Sequence, residues 1–309
     1  MVFIHGWPDT SALWVNQFAE FCGDENEYFC VAPSWIDYHP DLPPSRPTTP
    51  PRWSEQRQEF ENVLFHDLKL TEITYVIFDF GVLVGSQLLY TQPDLISQVI
   101  IMDIPLLHTP DSIGIKIRDP MPTLEMLLPY QQNNIKAYRN QDDALMDYNL
   151  KVTNGGAAPC HQCQIAPQAT HGGVGYRTGW PYTEFVRTEP SPWYVDFFTA
   201  GSSSETTEKA TMTPPIIPLD EWELSFIPKF PKDVPVLYLW GSKIFQVPEW
   251  FQWIDNHRAH DGVSAHHQID NTGHWIMYHQ PAMVNTLMRD WLGSLTTTTK
   301  KKKKVTEEL

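Results

Sequence analysis

The sequence lacks long hydrophobic runs. No apolar stretch in its 309 residues approaches the roughly 18 that a membrane-spanning helix needs, and the mean hydropathy is −0.35. The start of the sequence also lacks a charged segment followed by an apolar one, so no secretory signal is expected. These absences argue against a membrane span, and they make the cytoplasm the predicted location.

Cysteine is scarce as well. The four cysteines are Cys22, Cys30, Cys160 and Cys163, which is too few for a disulfide framework in a chain of this size. The run Cys160-His161-Gln162-Cys163 resembles half of a zinc site. A structural zinc site needs four ligands, and the sequence offers no second pair. No metal and no other cofactor are therefore expected.

Positive charge is the third shortage, because 22 Lys and Arg stand against 37 Asp and Glu, a net charge of −15. Five of the cations lie together at residues 300–304. A chain this acidic repels phosphate backbones, so nucleic-acid binding is disfavoured. The Thr/Lys-rich segment 294–309 has the low complexity typical of a disordered tail.

Apolar residues make up 41% of the sequence, enough for a packed core, and they fall into strand-like and helix-like segments in alternation. This alternation predicts an α/β fold with a mostly parallel, doubly wound sheet and right-handed crossovers. The strand-like segments are residues 1–4, 28–36, 73–78, 98–102, 234–240 and 264–269. The helix-like segments are residues 11–21, 52–70, 85–91, 248–257 and 282–292.

The alternation stops between about residues 105 and 231, where Pro, Gly, Ser, Thr and amide residues are frequent. This composition predicts a cap of residues 106–230, inserted into a core made of residues 1–105 and 231–293. The chain opens directly in the strand-like run Met1-Val2-Phe3-Ile4. Such an opening inside a buried-looking strand suggests either that earlier strands are missing from this sequence or that the fold has lost them.

The segment around Asp79 carries the clearest chemical signal. A β-branched and aromatic strand over residues 73–78 ends at Asp79, and Gly81 then begins a helix-like series. A strand, a sharp turn and a helix lift one side chain above the sheet, beside the N–H groups that begin the helix. An ionised carboxylate there can act as a nucleophile. From this stretch alone, a helix-capping aspartate is an equally good interpretation.

Two further signals complete a pattern: His5-Gly6-Trp7-Pro8 after the first strand, and Gly273-His274-Trp275 after the last. With Asp79 between them, they resemble the α/β-hydrolase fold, and in particular its epoxide-hydrolase-like branch, in which the nucleophile is an aspartate. The usual nucleophile motif of that branch, Gly-His-Asp-Trp-Gly, is matched by Ile77-Phe78-Asp79-Phe80-Gly81. The resemblance covers residues 1–105 and 231–293.

The resemblance implies a role for each residue. Asp79 would attack a small apolar electrophile and form an alkyl-enzyme ester. His274 would activate the water that hydrolyses this ester. The backbone N–H groups of Trp7 and Phe80 would form the oxyanion hole. Tyr130 and Tyr182, in the predicted cap, are candidate proton donors to the leaving alkoxide, although each is also explained by cap packing.

The histidine-orienting acid departs from the family pattern. That acid usually follows the seventh strand as Gly-x-x-Asp, but this chain has Gly241-Ser242-Lys243-Ile244. Asp103, after the sixth strand, stands where some related haloalkane dehalogenases carry their acid, and Asp255 is the alternative, inside a helix. Asp103 is favoured because neighbouring strand ends open into the same crevice. A simple turn aspartate remains the other interpretation of Asp103.

Two more departures lie in the nucleophile motif. Ile77 replaces a small residue, which predicts a looser turn or a displaced nucleophile. The side chain of Phe80 has no N–H to bind a halide, which argues against dehalogenation. Ile77, Ile244 and the missing first strands also leave a second hypothesis open, a non-catalytic homologue that binds a small ligand or a protein partner.

Overall fold

In the computed structural model, the residues described are 1–6, 9–23, 28–35, 53–79, 81–103, 148, 233–243 and 248–307. They contain one five-stranded sheet in which each strand is parallel to its neighbours, in the order β1-β2-β3-β4-β5. The predicted parallel α/β sheet is therefore confirmed. The strands are β1 (Val2–Ile4), β2 (Ile73–Phe78), β3 (Ile96–Met102), β4 (Val236–Gly241) and β5 (Ala265–Ile269).

Helices connect and cover these strands. The α-helices are α1 (Val15–Phe21), α2 (Trp53–Glu61), α3 (Gly81–Thr91), α4 (Pro248–Asp261), α5 (Ile276–His279) and α6 (Pro281–Glu307). A 3-10 turn over Ser11–Trp14 leads into α1, a π-helical segment over Asn62–Asp67 extends α2, and a 3-10 turn over Pro93–Leu95 precedes β3. Within the described residues, none of the helices combines the length and the apolar character needed to cross a bilayer.

The core lies on both faces of the central strands. Every residue of β2 and of β4 is buried, as expected for parallel strands that helices cover on both sides. This burial explains why both strands are nearly continuous apolar runs in the sequence, without the alternation of a half-exposed strand. The sheet therefore provides a rigid base for the residues that follow the carboxyl ends of its strands.

The structure corrects two predicted elements. Residues 28–36 are predicted as a strand, but the described part, 28–35, makes only isolated bridges, one between Val31 and Val2 of β1 and one between Tyr28 and Cys22. The sequence pattern also ends the last helix at 292 and makes 294–309 a disordered tail, whereas α6 continues to Glu307. Leu295 still packs against the core, so apolar contacts continue beyond the predicted end of the helix.

A disulfide joins Cys22, at the end of α1, to Cys30, beside the Val31 bridge. The small number of cysteines rules out a framework of many disulfides, but the sequence pattern does not predict this single one. Thiols are usually kept reduced in the cytosol, so this bridge gives no support to the cytoplasmic location, which stays a prediction. Apart from Tyr148, the predicted cap of residues 106–230 lies outside the described residues and also stays a prediction.

Candidate active site

The candidate site lies at the carboxyl edge of the sheet. β2 and β3 are parallel, and Phe78 is the register partner of Met102. Asp79 and Asp103 follow these partners directly, so the two carboxylates stand side by side. β5 ends at Ile269, and the turn after it brings His274 to the same edge. Residues from distant parts of the chain meet there because parallel strands all end on one side.

The imidazole of His274 lies between the two carboxylates. Its Nε2 is 3.4 Å from Asp79 Oδ2, and its Nδ1 is hydrogen-bonded to Asp103 Oδ2. All three side chains are buried. Asp255, the alternative acid, pairs instead with Arg258 at 2.6 Å and with His266 at 3.3 Å. The structure thus brings Asp79, His274 and Asp103 together and places Asp255 elsewhere.

The turn at Asp79 depends on close contacts with glycine. Asp79 has a φ of 51°, in the left-handed region, and its carbonyl accepts a hydrogen bond from Val82 N–H at 2.9 Å. A Cβ atom on Gly6 would lie 2.3 Å from Asp79 Cβ, and one on Gly81 would lie 2.7 Å from the His5 carbonyl oxygen. Any larger residue at either position would force the backbone or Asp79 to move.

The structure shows how Ile77 fits beneath this turn. A Cβ atom on Gly85 of α3 would lie 3.0 Å from Ile77 Cγ2. The missing side chain at 85 therefore provides the room that the larger side chain at 77 requires. Because Asp79 still reaches His274, the displaced nucleophile predicted from Ile77 is not found.

The turn at Asp103 is held by hydrogen bonds from β4. Asp103 also has a left-handed backbone, with a φ of 69°. Its N–H donates to Leu239 O at 2.8 Å, and its carbonyl oxygen accepts the Tyr238 hydroxyl at 2.8 Å. Its Oδ1 is buried and has no hydrogen-bond partner in the described part of the chain. The backbone of the acid is thus fixed on both sides, while one carboxylate oxygen remains available.

The surroundings of His274 favour its charged form. The ring packs on Phe78, with centroids 4.6 Å apart, and meets the edge of Trp275. Burial by itself would lower the pKa of His274. The charge and hydrogen bond of Asp103, with the charges of Asp79 and Asp9, outweigh burial and raise this pKa to about 9. At neutral pH the resting site therefore holds an imidazolium among carboxylates.

Asp9 is a site residue to which the sequence pattern assigns no role. It is buried, and both its carboxylate oxygens accept from Trp275 Nε1, at 3.0 and 3.2 Å. Burial raises its pKa to about 7, with the charge of Asp79 adding to the rise, while the Trp275 hydrogen bond and the charge of His274 oppose it. The only signal in the sequence is its position immediately after the His-Gly-Trp-Pro run.

His5 holds the turn that carries Gly6. Its Nδ1 lies 2.8 Å from Gly6 O and its Nε2 lies 3.2 Å from Trp35 N. The tautomer that satisfies both contacts carries its hydrogen on Nδ1, which then donates to Gly6, while Nε2 accepts. Burial, partly opposed by the Gly6 hydrogen bond, lowers the pKa of His5 to about 4. His5 is therefore neutral at physiological pH.

Four of the predicted site residues lie outside the described residues. They are Trp7 and Phe80, predicted to form the oxyanion hole, and Tyr130 and Tyr182, predicted to donate protons. Their roles stay predictions. Among the described residues, no group of three or more His, Cys, Asp or Glu side chains is arranged to hold a metal ion.

Comparisons with known proteins agree with the fold. Residues 1–281 match the family described as alpha/beta hydrolase fold. No curated protein matches the chain by sequence. An epoxide hydrolase from Bacillus megaterium, solved with an inhibitor, is similar at 18% identity, over 95% of this chain and 93% of that one, with a TM-score of 0.57. A haloalkane dehalogenase loop variant from Bradyrhizobium elkanii is similar at 15% identity, over 97% and 90%, with a TM-score of 0.60.

Proposed function

This chain belongs to the α/β-hydrolase fold family, and from that premise we propose that it is an epoxide-hydrolase-like enzyme with Asp79 as its nucleophile. The observation that carries the proposal is the position of His274, with Nε2 toward Asp79 and Nδ1 bonded to Asp103. Nε2 of His274 can then act on an ester formed on Asp79, while Asp103 binds Nδ1 and orients the ring.

In the first step, an oxygen of Asp79 attacks a ring carbon of the epoxide. The new carbon–oxygen bond forms as the ring carbon–oxygen bond breaks, and the electron pair of that bond stays on the epoxide oxygen. This alkoxide takes a proton from an acid, for which Tyr130 and Tyr182 are the candidates. The product is a hydroxyalkyl ester of Asp79.

In the second step, His274 takes a proton from water at Nε2, and the hydroxide attacks the ester carbonyl carbon. The bond from the tetrahedral carbon to the ester oxygen then breaks, and that oxygen takes the proton of the newly added hydroxyl group. The diol leaves, the Asp79 carboxylate is restored, and His274 releases to solvent the proton that it took from water. His274 must be neutral to act in this way. Ester formation removes the charge of Asp79, one of the charges that raise the pKa of His274. The first step thereby lowers this pKa and prepares the base for the second.

An epoxide suits the site better than an alkyl halide does. The side chain of Phe80, next to the nucleophile, carries no N–H to stabilise a departing halide ion. An epoxide needs no halide site, because its leaving oxygen stays attached to the product and is neutralised by a proton. The apolar rings of Phe78 and Trp275 around His274 favour a substrate with little charge.

Two variants test the proposal with styrene oxide as the probe. Asp79→Ala should abolish diol formation, because no nucleophile remains. His274→Gln should form the ester but not hydrolyse it, so the protein mass should increase by the mass of the epoxide. Asp255→Asn is the matched control, since Asp255 is ion-paired outside the site.

An unchanged rate in Asp79→Ala would overturn the proposed nucleophile. A wild-type protein that neither turns over nor is alkylated by a panel of epoxides and esters would favour the non-catalytic homologue instead.

A further inference from the structure

Tyr238 makes an unusual contact with the acid of the site. This residue of β4 is buried, and its hydroxyl donates to the backbone carbonyl of Asp103 at 2.8 Å. The phenol therefore leaves the Asp103 carboxylate free to bind His274. The two residues are 135 positions apart in the chain, so this contact exists only once β3 and β4 have paired.

The backbone that Tyr238 holds is one that needs support. Asp103 has a φ of 69°, a left-handed conformation that L-residues other than glycine adopt at some cost in energy. Its N–H is bonded to Leu239 O, so adjacent residues of β4 hold both polar groups of Asp103. The orientation of the backbone at Asp103 sets the direction of its side chain, and hence where the carboxylate meets Nδ1 of His274.

We propose that Tyr238 is a positioning residue, which acts through Asp103 to orient His274 for ester hydrolysis. This inference rests on the proposed two-step function. It assigns Tyr238 to the second step alone, because Asp103 contacts His274, and His274 takes no part in the proposed first step.

The phenol is itself well fixed. Its ring stacks on Trp240, with centroids 5.2 Å apart and planes at 22°, and it also packs against Phe251. Burial, with the charge of Asp103, raises the pKa of Tyr238 well above its usual value. The hydroxyl therefore remains a donor over the whole working pH range.

Tyr238→Phe keeps the ring and removes the donor. The Asp103 carbonyl loses this partner, and the turn can relax away from the geometry that directs the carboxylate to His274. Ester hydrolysis should slow about tenfold, in keeping with the loss of one buried hydrogen bond. The rate of ester formation should be unchanged. With hydrolysis limiting, kcat and KM should fall together and leave kcat/KM as in wild type.

The chain offers a matched control in Tyr75. This tyrosine of β2 is also buried, but its hydroxyl has no hydrogen-bond partner among the residues the structure describes. Tyr75→Phe therefore removes the same atom from the core without removing a known contact with the site. It should change neither step with styrene oxide.

A double-mutant cycle with Asp103→Asn asks whether Tyr238 acts through the acid. Single-turnover kinetics with styrene oxide should show that Tyr238→Phe slows hydrolysis in the wild-type background and has little further effect in Asp103→Asn. An equal slowing in both backgrounds would overturn the inference, because Tyr238 would then act independently of Asp103.

A second measurement needs no substrate. NMR should show a lower pKa for His274 in Tyr238→Phe, together with a shifted Nδ1 proton resonance, and wild-type values in Tyr75→Phe. A lower melting temperature with an unchanged His274 titration would make Tyr238 purely structural and would overturn the inference. Absence of turnover in the wild-type protein would overturn the proposed function alone, since this NMR test stands without it.

Discussion

The turns after β2 and β3 place two aspartates beside the same imidazole by different physical means. Both have left-handed backbones, with φ values of 51° at Asp79 and 69° at Asp103, and both are buried. The turn at Asp79 is confined by steric contact, since Gly6 and Gly81 leave no room for a Cβ atom. The turn at Asp103 is held by two hydrogen bonds, one from its N–H to the Leu239 carbonyl and one from the Tyr238 hydroxyl to its own carbonyl.

This difference matches the task proposed for each carboxylate. A nucleophile must approach a carbon atom along one direction, and close packing against glycine backbone leaves it little freedom to move. An orienting acid must match a hydrogen-bond donor, and directional hydrogen bonds suit that task. Substitutions that add volume should therefore damage the first turn, and substitutions that remove a polar atom should damage the second.

Asp103→Asn tests the second turn and should have the largest effect. The amide can no longer stabilise the imidazolium, and in the serine-protease template a change of this kind lowers kcat by about 10⁴. Ester hydrolysis with styrene oxide should fall toward that limit, and the alkylated protein should accumulate in the mass spectrum. Asp255→Asn serves as the control. Fast hydrolysis in Asp103→Asn would mean that another group orients His274.

Gly6→Ala tests the first turn and should come next. The added methyl group would lie well inside the contact distance of the Asp79 side chain, so the nucleophile must move. A misplacement of about 1 Å can cost roughly 100-fold in rate, and the loss should fall on ester formation, measured in single turnovers.

The control for Gly6→Ala is Gly293→Ala in α6, where a Cβ atom meets nothing within 4 Å. It should react at the wild-type rate. If Gly6→Ala formed the ester as fast as this control, the turn at Asp79 would not depend on steric confinement.

Asp9→Asn should have the smallest effect, a change of a few-fold in rate. The amide oxygen can still accept from Trp275, so mainly the charge is lost. A negative charge near His274 raises its pKa, so removing it lowers that pKa. Hydrolysis requires neutral His274 and increases with pH, and the rising limb of the kcat profile should therefore shift to lower pH.

The pKa of Asp9 determines the pH range in which the kcat profiles of the wild type and Asp9→Asn should differ. Asp9 has a pKa of about 7, so well below pH 7 it is already neutral in the wild type, and the two profiles should coincide there. NMR titration of His274 in both proteins checks the cause directly. An identical pKa for His274 in the wild type and in Asp9→Asn would show that the charge of Asp9 does not affect the pKa of His274.

Much of this architecture could be predicted from local sequence. The strand, turn and helix around Asp79 could be predicted because their signals lie within a few residues of one another. These signals are the apolar run of β2, Asp79 itself and Gly81. Asp103 could be favoured over Asp255 because strand ends share an edge and helix interiors do not. The pairing of Ile77 with Gly85 was also within reach, since eight residues separate them across one strand and one helix.

Other features depend on contacts between distant residues. Asp9 and Trp275 are 266 residues apart, and no local pattern indicates that one will accept a hydrogen bond from the other. Tyr238 looks like any strand aromatic until β4 is placed beside β3. The strand predicted over 28–36 also depended on pairing, and its described residues supply only two isolated bridges, from Tyr28 and Val31.

The distance along the chain between His274 and its partners has a consequence for biosynthesis. Asp9, Asp79 and Asp103 leave the ribosome long before the histidine that neutralises them, because translation runs from the N-terminus. A nascent chain that has folded its first three strands must keep these carboxylates solvated or protonated until the last quarter of the polypeptide arrives.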